Sequence, residues 1–206
     1  MLDRKNPRTK QQRAVLAAAS VFAEKGYHGA STRDIAERMG IQQGSIYYYF
    51  KSKEDALADV CLFGIEDYVS HMETTAVSDQ PFETKLLATI TSHLTSYRER
   101  NEALRVHNTE RLYLPKEKRT NLKALGSRYR QLLEEMFEKG IADGALRPTV
   151  DAHFAAQTVI GLCNAWGDLI VRDSALDVFD AIQKCHDLLL NGLRERRSKN
   201  RDLSGD

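Results

Sequence analysis

The fold of this chain is decided by residues 31–50, which read STRDIAERMGIQQGSIYYYF. Ser31 is a strong helix N-cap, and Asp34 follows it at capping-box spacing. Residues 33–39 have apolar side chains at helical spacing and end at Gly40, and a turn of about three residues leads to a second helix over 42–49. Two short helices joined by such a turn form a helix-turn-helix, which is a common DNA-binding unit.

The outward residues of the second helix favour contact with DNA over simple solvation. They carry amide, hydroxyl and phenol groups but almost no charge: Gln43, Gly44, Ser45, Tyr47, Tyr48 and Tyr49. Glutamine can pair bidentately with adenine in the major groove, and a glycine without a Cβ lets the backbone approach the bases. Three consecutive tyrosines cover about 300° of a helix, so they cannot all lie in a core. For Tyr49 alone we expect packing beneath the helix.

The flanking residues suit the phosphate backbone. Thr32 and Lys53 lie at predicted helix N-termini, where free N–H groups and the helix dipole attract anions, and Arg33 and Lys51 add positive charge. Residues 1–56 carry ten Lys and Arg against six Asp and Glu, a net charge of +4, whereas residues 57–206 carry a net charge of −3. A basic head on a mildly acidic body indicates a polyanionic partner.

From Gln12 to Leu57 the sequence resembles the N-terminal domain of the tetracycline-repressor (TetR) family of bacterial regulators. The resemblance rests on FAEKGY (22–27), STRDIA (31–36), MGI (39–41), GSIYYYF (44–50) and KSKE (51–54). It implies contacts to bases from Gln43, Gly44, Ser45 and Tyr47, and to phosphates from Thr32, Tyr48, Tyr49 and Lys53. At Tyr49 this role opposes the packing expected from the residues alone. Gln42 also departs from the family, which often has Ser or Thr at this N-cap position.

The rest of the chain has a helical period almost throughout, and no strand-like alternation exceeds about four residues. The first helix carries an apolar face and stops at Gly26 and Gly29. Further helices are predicted over 53–74, 82–100, 102–113, 117–143, 149–172 and 175–196, and the polar tail 194–206 is expected to fray. The sequence therefore predicts an all-α protein of about nine helices. It has a three-helix helix-turn-helix domain over 1–56 and a larger helical ligand-binding and dimerisation domain over 57–206.

TetR-family proteins dimerise through their last two long helices, and the resemblance implies the same for 149–172 and 175–196. Both segments are strongly apolar, so each can bury one face inside the protein and another against a second copy; burial in a plain core is the alternative. In a homodimer, two recognition helices about 34–36 Å apart would read successive major grooves of a palindromic operator. The residues expected at the interface are Trp166, Ile170, Ile182 and Leu189.

Polar residues on the apolar helices of the body predict a pocket for a small-molecule effector. Asn164 and Asp168 lie four residues apart on one such helix, and buried polar groups need partners; an interface hydrogen bond is the competing explanation. For the other polar positions, a solvent-exposed helix face is the competing explanation. The residues expected to bind the effector are Tyr97, His107, Arg111, Asn164 and Asp168, with His93 and Asn108 as further polar groups on the central helices.

A basic run suggests that the effector is an anion. Between Arg111 and Lys123 there are five basic residues against Glu117 alone, although a solvated basic loop has the same composition. The stretches RLY (111–113) and GIADG (140–144) loosely resemble the branch of the family that senses fatty acyl-coenzyme A. The resemblance thus implies an acyl-CoA or another hydrophobic, anionic metabolite as effector.

Other classes of protein find little support. Enzyme motifs such as HExxH, a Gly-rich phosphate loop or a Ser/His/Asp order are absent from the sequence, and the His and Cys residues lack zinc spacing, so we expect no catalysis, metal or cofactor.

Cys61, Cys163 and Cys185 are expected to be reduced, mostly buried thiols of a cytoplasmic protein. No uninterrupted apolar run reaches the roughly 18–20 residues of a membrane span. Residues 14–23 resemble a signal peptide, but they serve better as the first helix.

These observations predict a ligand-responsive transcriptional regulator. Its simplest form is a repressor that binds a palindromic double-stranded operator as a homodimer and is released by a small-molecule effector. The alternative is a helix-turn-helix DNA-binding factor without a small-molecule ligand. A closed, fully packed body would favour that alternative, whereas an enclosed apolar cavity with a few polar groups would favour an effector.

Overall fold

The all-α architecture predicted from the sequence is confirmed. In the computed structural model, which describes residues 9–193, these residues form eight α-helices and two 3₁₀ helices and contain no β-strand. The α-helices are α1 (Lys10–Gly29), α2 (Thr32–Met39), α3 (Lys53–Ala76), α4 (Phe82–Glu99), α5 (Asn101–Glu110), α6 (Lys116–Ala142), α7 (Ala152–Arg172) and α8 (Val178–Leu193). The 3₁₀ helices are Gln43–Tyr48 and Arg111–Tyr113. The predicted end of the last helix and the tail 194–206 lie outside the described residues.

The head of the molecule consists of α1, α2 and the 3₁₀ helix Gln43–Tyr48. Regular helix geometry in α1 breaks at Gly26, whose φ of 67° is strained for any residue with a side chain. Ile35 and Ala36 on α2 are buried against Ile46 and Phe50, as the apolar spacing predicts. This small core fixes how α2 and the 3₁₀ helix cross.

Side-chain caps set the boundaries of the head helices. Ser31 Oγ accepts the backbone N–H of Asp34, and Asp34 Oδ2 accepts the N–H of Ser31, so the predicted capping box is present. Ser52 Oγ accepts the N–H of Asp55 and starts α3, also as predicted. Such caps satisfy backbone donors that a helix leaves unpaired at its N-terminus.

The predicted α-helix over 42–49 is a 3₁₀ helix instead. The Ser45 N–H bonds to the carbonyl of Gln42 and the Tyr49 N–H to that of Ile46, each three residues back. The physical reason lies in its first turn. The side chain of Gln42 makes no cap, and Gly44 adds conformational entropy that disfavours a regular helix.

Several boundaries in the body differ from the prediction. The segment predicted as one helix over 102–113 is split into α5 and the 3₁₀ helix Arg111–Tyr113, just before Pro115. Helices α7 and α8 start three residues later than predicted. Asp151 caps α7 by accepting the N–H of Phe154, and Asp177 accepts the N–H groups of Phe179 and Asp180 at the start of α8.

Helix α3 joins the head to the body. It packs on α1 of the head and on α4, α5 and α6 of the body, and the buried apolar core is continuous across this junction. Cys61, Cys163 and Cys185 are all buried free thiols, and burial raises the pKa of Cys61 to about 12. By length and composition α7 is the one helix among residues 9–193 that could cross a membrane, yet its inner face is packed in the bundle.

Candidate functional site

Two aromatic side chains stand out from the surface of the head. Tyr47 is 57% exposed and Tyr48 is 90% exposed, and both lie on the 3₁₀ helix Gln43–Tyr48. Large aromatic rings usually gain stability from burial, so two adjacent exposed phenols on one short helix mark a candidate contact surface for an external partner. The sequence analysis placed Tyr47 and Tyr48 on the outward face of this helix, and the structure shows both side chains exposed.

The neighbouring residues make this surface polar, uncharged and easy to approach. Gln43 and Gly44 are exposed, and Ser45 is half-buried. A Cβ added at Gly44 would meet nothing within 4 Å. The protein's own packing therefore does not require glycine at this position, and the open space remains available to an external partner.

The predicted phosphate-contacting residues fall into different environments. Thr32 is half-buried at the start of α2, and exposed Arg33 pairs with Glu37 through a 2.9 Å Nε–Oε1 contact. Tyr49 is half-buried and packs against the core, as we expected from the residues alone. Its hydroxyl makes no hydrogen bond within residues 9–193. The N-terminus of α2 at Thr32 and the hydroxyl of Tyr49 are both suited to contact with a phosphate.

Lys53 is less free than the sequence suggests. Its Nζ donates to the carbonyl oxygens of Tyr27 at 2.9 Å and Ala30 at 3.0 Å, and it lies 4.4 Å from the centre of the Tyr27 ring. Two of its three N–H donors thus hold the end of α1 and the residue after it to the start of α3. Any contact of Lys53 with an external anion uses the remaining donor.

A basic groove that the sequence analysis did not single out adjoins this surface. It has a volume of about 410 Å³ and lies between α1, the end of α2 and Tyr49. Lys10 and Arg13 are exposed on its α1 wall, and Arg38 on the opposite wall is held by Ser20 and Glu24. The signal was present in the spacing of Lys10 and Arg13, three residues apart on one helix.

The body contains a cavity of about 470 Å³ bounded by α3, α4, α5, α6 and α7. Of the five residues predicted to bind an effector, His107, Arg111 and Asn164 line it. Tyr97 lies behind the wall and contributes through a hydrogen bond, whereas Asp168 is exposed on α7 and is not among the described residues that line the cavity. Burial, and to a lesser extent the charge of Asp168, raise the pKa of Tyr97, so Asp168 lies on the same side of α7 as Asn164, one helical turn further on. Contact between Asp168 and an effector stays a prediction.

A chain of hydrogen bonds forms one wall of this cavity. Asn164 Oδ1 accepts the Tyr97 hydroxyl at 2.9 Å and lies 3.3 Å from His93 Nε2, while His93 Nδ1 lies 3.0 Å from the Tyr129 hydroxyl. Asn108 Nδ2 donates to the Tyr97 oxygen at 3.2 Å. Because an amide oxygen only accepts, the proton of the neutral His93 ring lies on Nε2, and Nδ1 accepts from Tyr129.

Burial keeps the two cavity histidines neutral. Loss of solvation lowers the pKa of His93 to about 4, against a smaller opposing effect of its bond to Asn164. Loss of solvation and then the nearby Arg111 charge lower the pKa of His107 to about 4. His107 Nδ1 is buried and has no hydrogen-bond partner within residues 9–193.

Two aromatic members of the cavity were missed from the sequence. Tyr68 stacks on His93 with ring centres 4.5 Å apart and planes 6° apart, and Tyr129 meets both rings edge-on. Each tyrosine interrupts the apolar face of its helix, Tyr68 on α3 and Tyr129 on α6. That interruption was the available signal. It resembled ordinary core packing until the tertiary structure brought the two helices together.

Contacts between the body and the head lie one residue from the cavity. Glu110 Oε2 accepts the backbone N–H of Tyr27 at 2.9 Å, just beyond the break at Gly26. The ring of Tyr113 stacks on that of Tyr27 with centres 5.7 Å apart. The adjacent Arg111 lines the cavity and also bonds to the carbonyls of His107 and Asn108.

The interface prediction needs correction for three of its four residues. Ile170, Ile182 and Leu189 are buried within a single chain, where they pack in the core, and only Trp166 is partly exposed. The apolar period of α7 and α8 did not distinguish the face turned to the core from the face turned outward. The large apolar side chains that these helices leave exposed are Phe154, Leu169, Phe179 and Leu188.

Comparison with known families gives matches over most of the chain. Residues 15–60 match the model described as bacterial regulatory proteins, tetR family, and residues 79–167 match the tetracyclin repressor-like C-terminal domain. Together the two models cover more than half of the sequence. They include the 3₁₀ helix with its tyrosines and most of the cavity.

Individual relatives agree with these matches. The fatty acid metabolism regulator protein of Bacillus subtilis is 25% identical over 196 residues, which cover 93% of this chain and 100% of the relative. The transcriptional repressor KstR2 of Rhodococcus jostii is 29% identical over 139 residues, 67% of this chain and 68% of the relative. A crystal structure of FadR from Bacillus subtilis in complex with stearoyl-CoA has a TM-score of 0.74 at 25% identity, covering 89% of this chain and 99% of that one.

Proposed function

Because the chain belongs to the tetracycline-repressor (TetR) family of bacterial regulators, we propose that it is a dimeric repressor whose hold on operator DNA is released by an anionic acyl effector. It is a ligand-responsive DNA-binding transcriptional regulator and not an enzyme. Its place of action is the cytoplasm, where bacterial DNA lies.

The observation that carries this proposal is the uncovered surface of the 3₁₀ helix Gln43–Tyr48. Gln43 and the open backbone at Gly44 face outward beside two exposed phenols. In the major groove, the Gln43 amide reads adenine, and the aromatic rings contact thymine methyl groups. Ser45 and Tyr47 complete the base-facing set.

Phosphate contacts position this surface on the duplex. Thr32 supplies a helix N-terminus, Tyr48 and Tyr49 supply hydroxyls, and Arg33 supplies charge. The basic groove with Lys10 and Arg13 extends the same electrostatic footprint. Lys53 acts chiefly from within, by fixing Tyr27 against the start of α3 and thereby holding the head in shape.

A second copy of the chain covers the outer face of α7. Phe154, Gly161, Ala165 and Leu169 recur there at helical spacing, and all four are exposed. A stripe of apolar and small residues lets a second helix approach closely, and a two-fold axis would present the same face from each copy. Trp166 lies at the edge of this face.

The cavity in the body is the effector site. Arg111, Lys123 and Arg130 supply positive charge to its lining, which suits an anionic group such as a carboxylate or a phosphate. A relative of this chain has been crystallised with stearoyl-CoA, which combines an acyl chain with several phosphates. We therefore assign the effector to the class of acyl acids and their CoA thioesters. The cavity offers an effector a place to bind, and the alternative of a regulator without a ligand gives this cavity no role.

The route from effector to DNA runs through the end of α5. An anion that binds Arg111 and shifts it also moves the adjacent Glu110. Glu110 accepts the hydrogen bond from the Tyr27 N–H at the end of α1. Displacement there rotates the head and changes the separation of the two DNA-reading surfaces. The effector shifts this equilibrium only to the extent that it binds the displaced arrangement more tightly.

Selection from a pool of random double-stranded DNA tests the proposal. The purified chain should enrich a palindrome whose half-sites lie about 10 bp apart or a multiple of that distance, as two-fold symmetry requires. Failure to enrich any sequence at moderate salt would contradict the DNA-binding role assigned to this surface.

A further inference from the structure

The cavity described above combines apolar surface with polar groups, and most of its lining side chains carry a polar atom. Among the described residues that line it, Ile160 is the one aliphatic side chain. A saturated hydrocarbon chain gains its binding energy from apolar surface. Part of such a chain would lie against imidazole, amide and phenol groups here, and burying these groups without hydrogen-bond partners is unfavourable.

The hydrogen-bond network leaves specific groups over for a ligand. Asn164 uses its Oδ1 atom for Tyr97 and His93, and no residue of 9–193 accepts from the two N–H groups of its amide, which remain as donors at the cavity wall. His107, on the same lining, has a buried Nδ1 without a partner within residues 9–193. Because the His107 ring also bonds to the backbone of Cys61, this Nδ1 of the neutral ring is an acceptor.

The network is also held rigidly in place. Tyr97 is 1% exposed and His93 is 1% exposed, and stacking of Tyr68 on His93 fixes the ring planes. Asn164 therefore cannot turn its amide freely to satisfy itself. A preorganised polar group of this kind discriminates strongly against ligands that fail to pair with it.

Building on the proposed effector class, we propose that the natural effector carries an oxygen function, a hydroxyl or keto group, on the part of the molecule that enters the cavity. The Asn164 amide donates a hydrogen bond to this oxygen. The effector is therefore an oxygenated acyl acid or its thioester, with its anionic end held by Arg111, Lys123 and Arg130, and not a plain saturated acyl chain.

Calorimetric titration of the full chain with matched thioesters tests this inference. The probes are stearoyl-CoA and a set of its monohydroxylated isomers, with the hydroxyl near the thioester, in mid-chain and near the far end. At least one hydroxylated isomer should bind about tenfold more tightly than stearoyl-CoA. Asn164→Leu should abolish that preference. Gln157→Leu, which removes a lining amide outside the network, should preserve it.

The outcomes separate this inference from the proposed function. If stearoyl-CoA binds as tightly as every hydroxylated isomer, the oxygen function is refuted and the acyl effector class stands. If no thioester binds although the chain still binds its operator, the effector class fails and this inference fails with it. The wild-type comparison decides the question even if Asn164→Leu does not fold.

Discussion

Gly167 on α7 lies directly beneath the ring of Tyr97 on α4. A Cβ added at Gly167 would stand 2.4 Å from Cδ2 and Cε2 of that ring, well inside van der Waals contact. The absence of a side chain at this position therefore allows the Tyr97 hydroxyl to reach Asn164. The polar wall of the cavity depends on this glycine, although Gly167 itself is buried among apolar residues.

Gly167→Ala should destabilise the protein by about 1–3 kcal/mol, because the added methyl group displaces a tightly packed ring. Urea unfolding measures the loss. Gly126→Ala is the matched control, since a Cβ there meets nothing within 4 Å and alanine favours the helix. Equal stability of Gly167→Ala and wild type would show that Tyr97 is not held as described.

Gln43→Ala should relax the choice of base at one operator position and weaken binding to the selected operator by about 1–3 kcal/mol. The reason is the loss of a bidentate amide contact. Binding of each variant to the operator and to its single-base variants provides the measurement. The control is Gln42→Ala, which removes a neighbouring amide that makes no cap. An equal weakening on every sequence would assign Gln43 to phosphate contact and not to base reading.

Glu110→Ala should uncouple the head from the cavity. The part-buried Tyr27 N–H loses its acceptor, so its hydrogen exchange should accelerate, and the change in operator affinity caused by an effector should shrink by several fold. Glu110→Gln keeps an acceptor oxygen and should retain most of the response. An undiminished effector response in Glu110→Ala would place the route to DNA elsewhere.

Leu169→Glu should convert the proposed dimer to monomers by placing a charge on the outer face of α7, where Leu169 is 47% exposed. Sedimentation velocity resolves the two species. Val77→Glu, at another exposed apolar position that follows the last residue of α3, should remain dimeric. A dimeric Leu169→Glu protein would show that the two copies meet through a different surface.

Much of the head followed from local rules. The capping box at Ser31 and the cap at Ser52 involve partners three residues away, so the sequence contains both halves of each interaction. The outward placement of Tyr47 and Tyr48 followed from helix geometry in the same way. The 3₁₀ form of their helix was not predicted, because hydrophobic spacing over six residues does not separate it from an α-helix.

The body was less accessible to sequence reasoning, because its site is assembled from five helices. Asn164, His107 and Arg111 were identified as polar interruptions of apolar helices. Tyr129, which pairs with His93, interrupts the apolar face of its own helix in the same way, but that sign alone did not separate it from ordinary core packing. The same limit explains Ile170, Ile182 and Leu189. An apolar stripe predicts that its residues are buried. Only the packed structure shows whether they are buried in the core of one chain or against a second copy.

The most direct test of this account is fluorescence anisotropy of the labelled operator with the full chain, titrated with the series of CoA thioesters. We expect a sequence-specific complex at moderate salt whose affinity falls by about 5- to 150-fold when an effector of this class binds. A chain that does not bind the operator, or a complex that no thioester weakens, would contradict it.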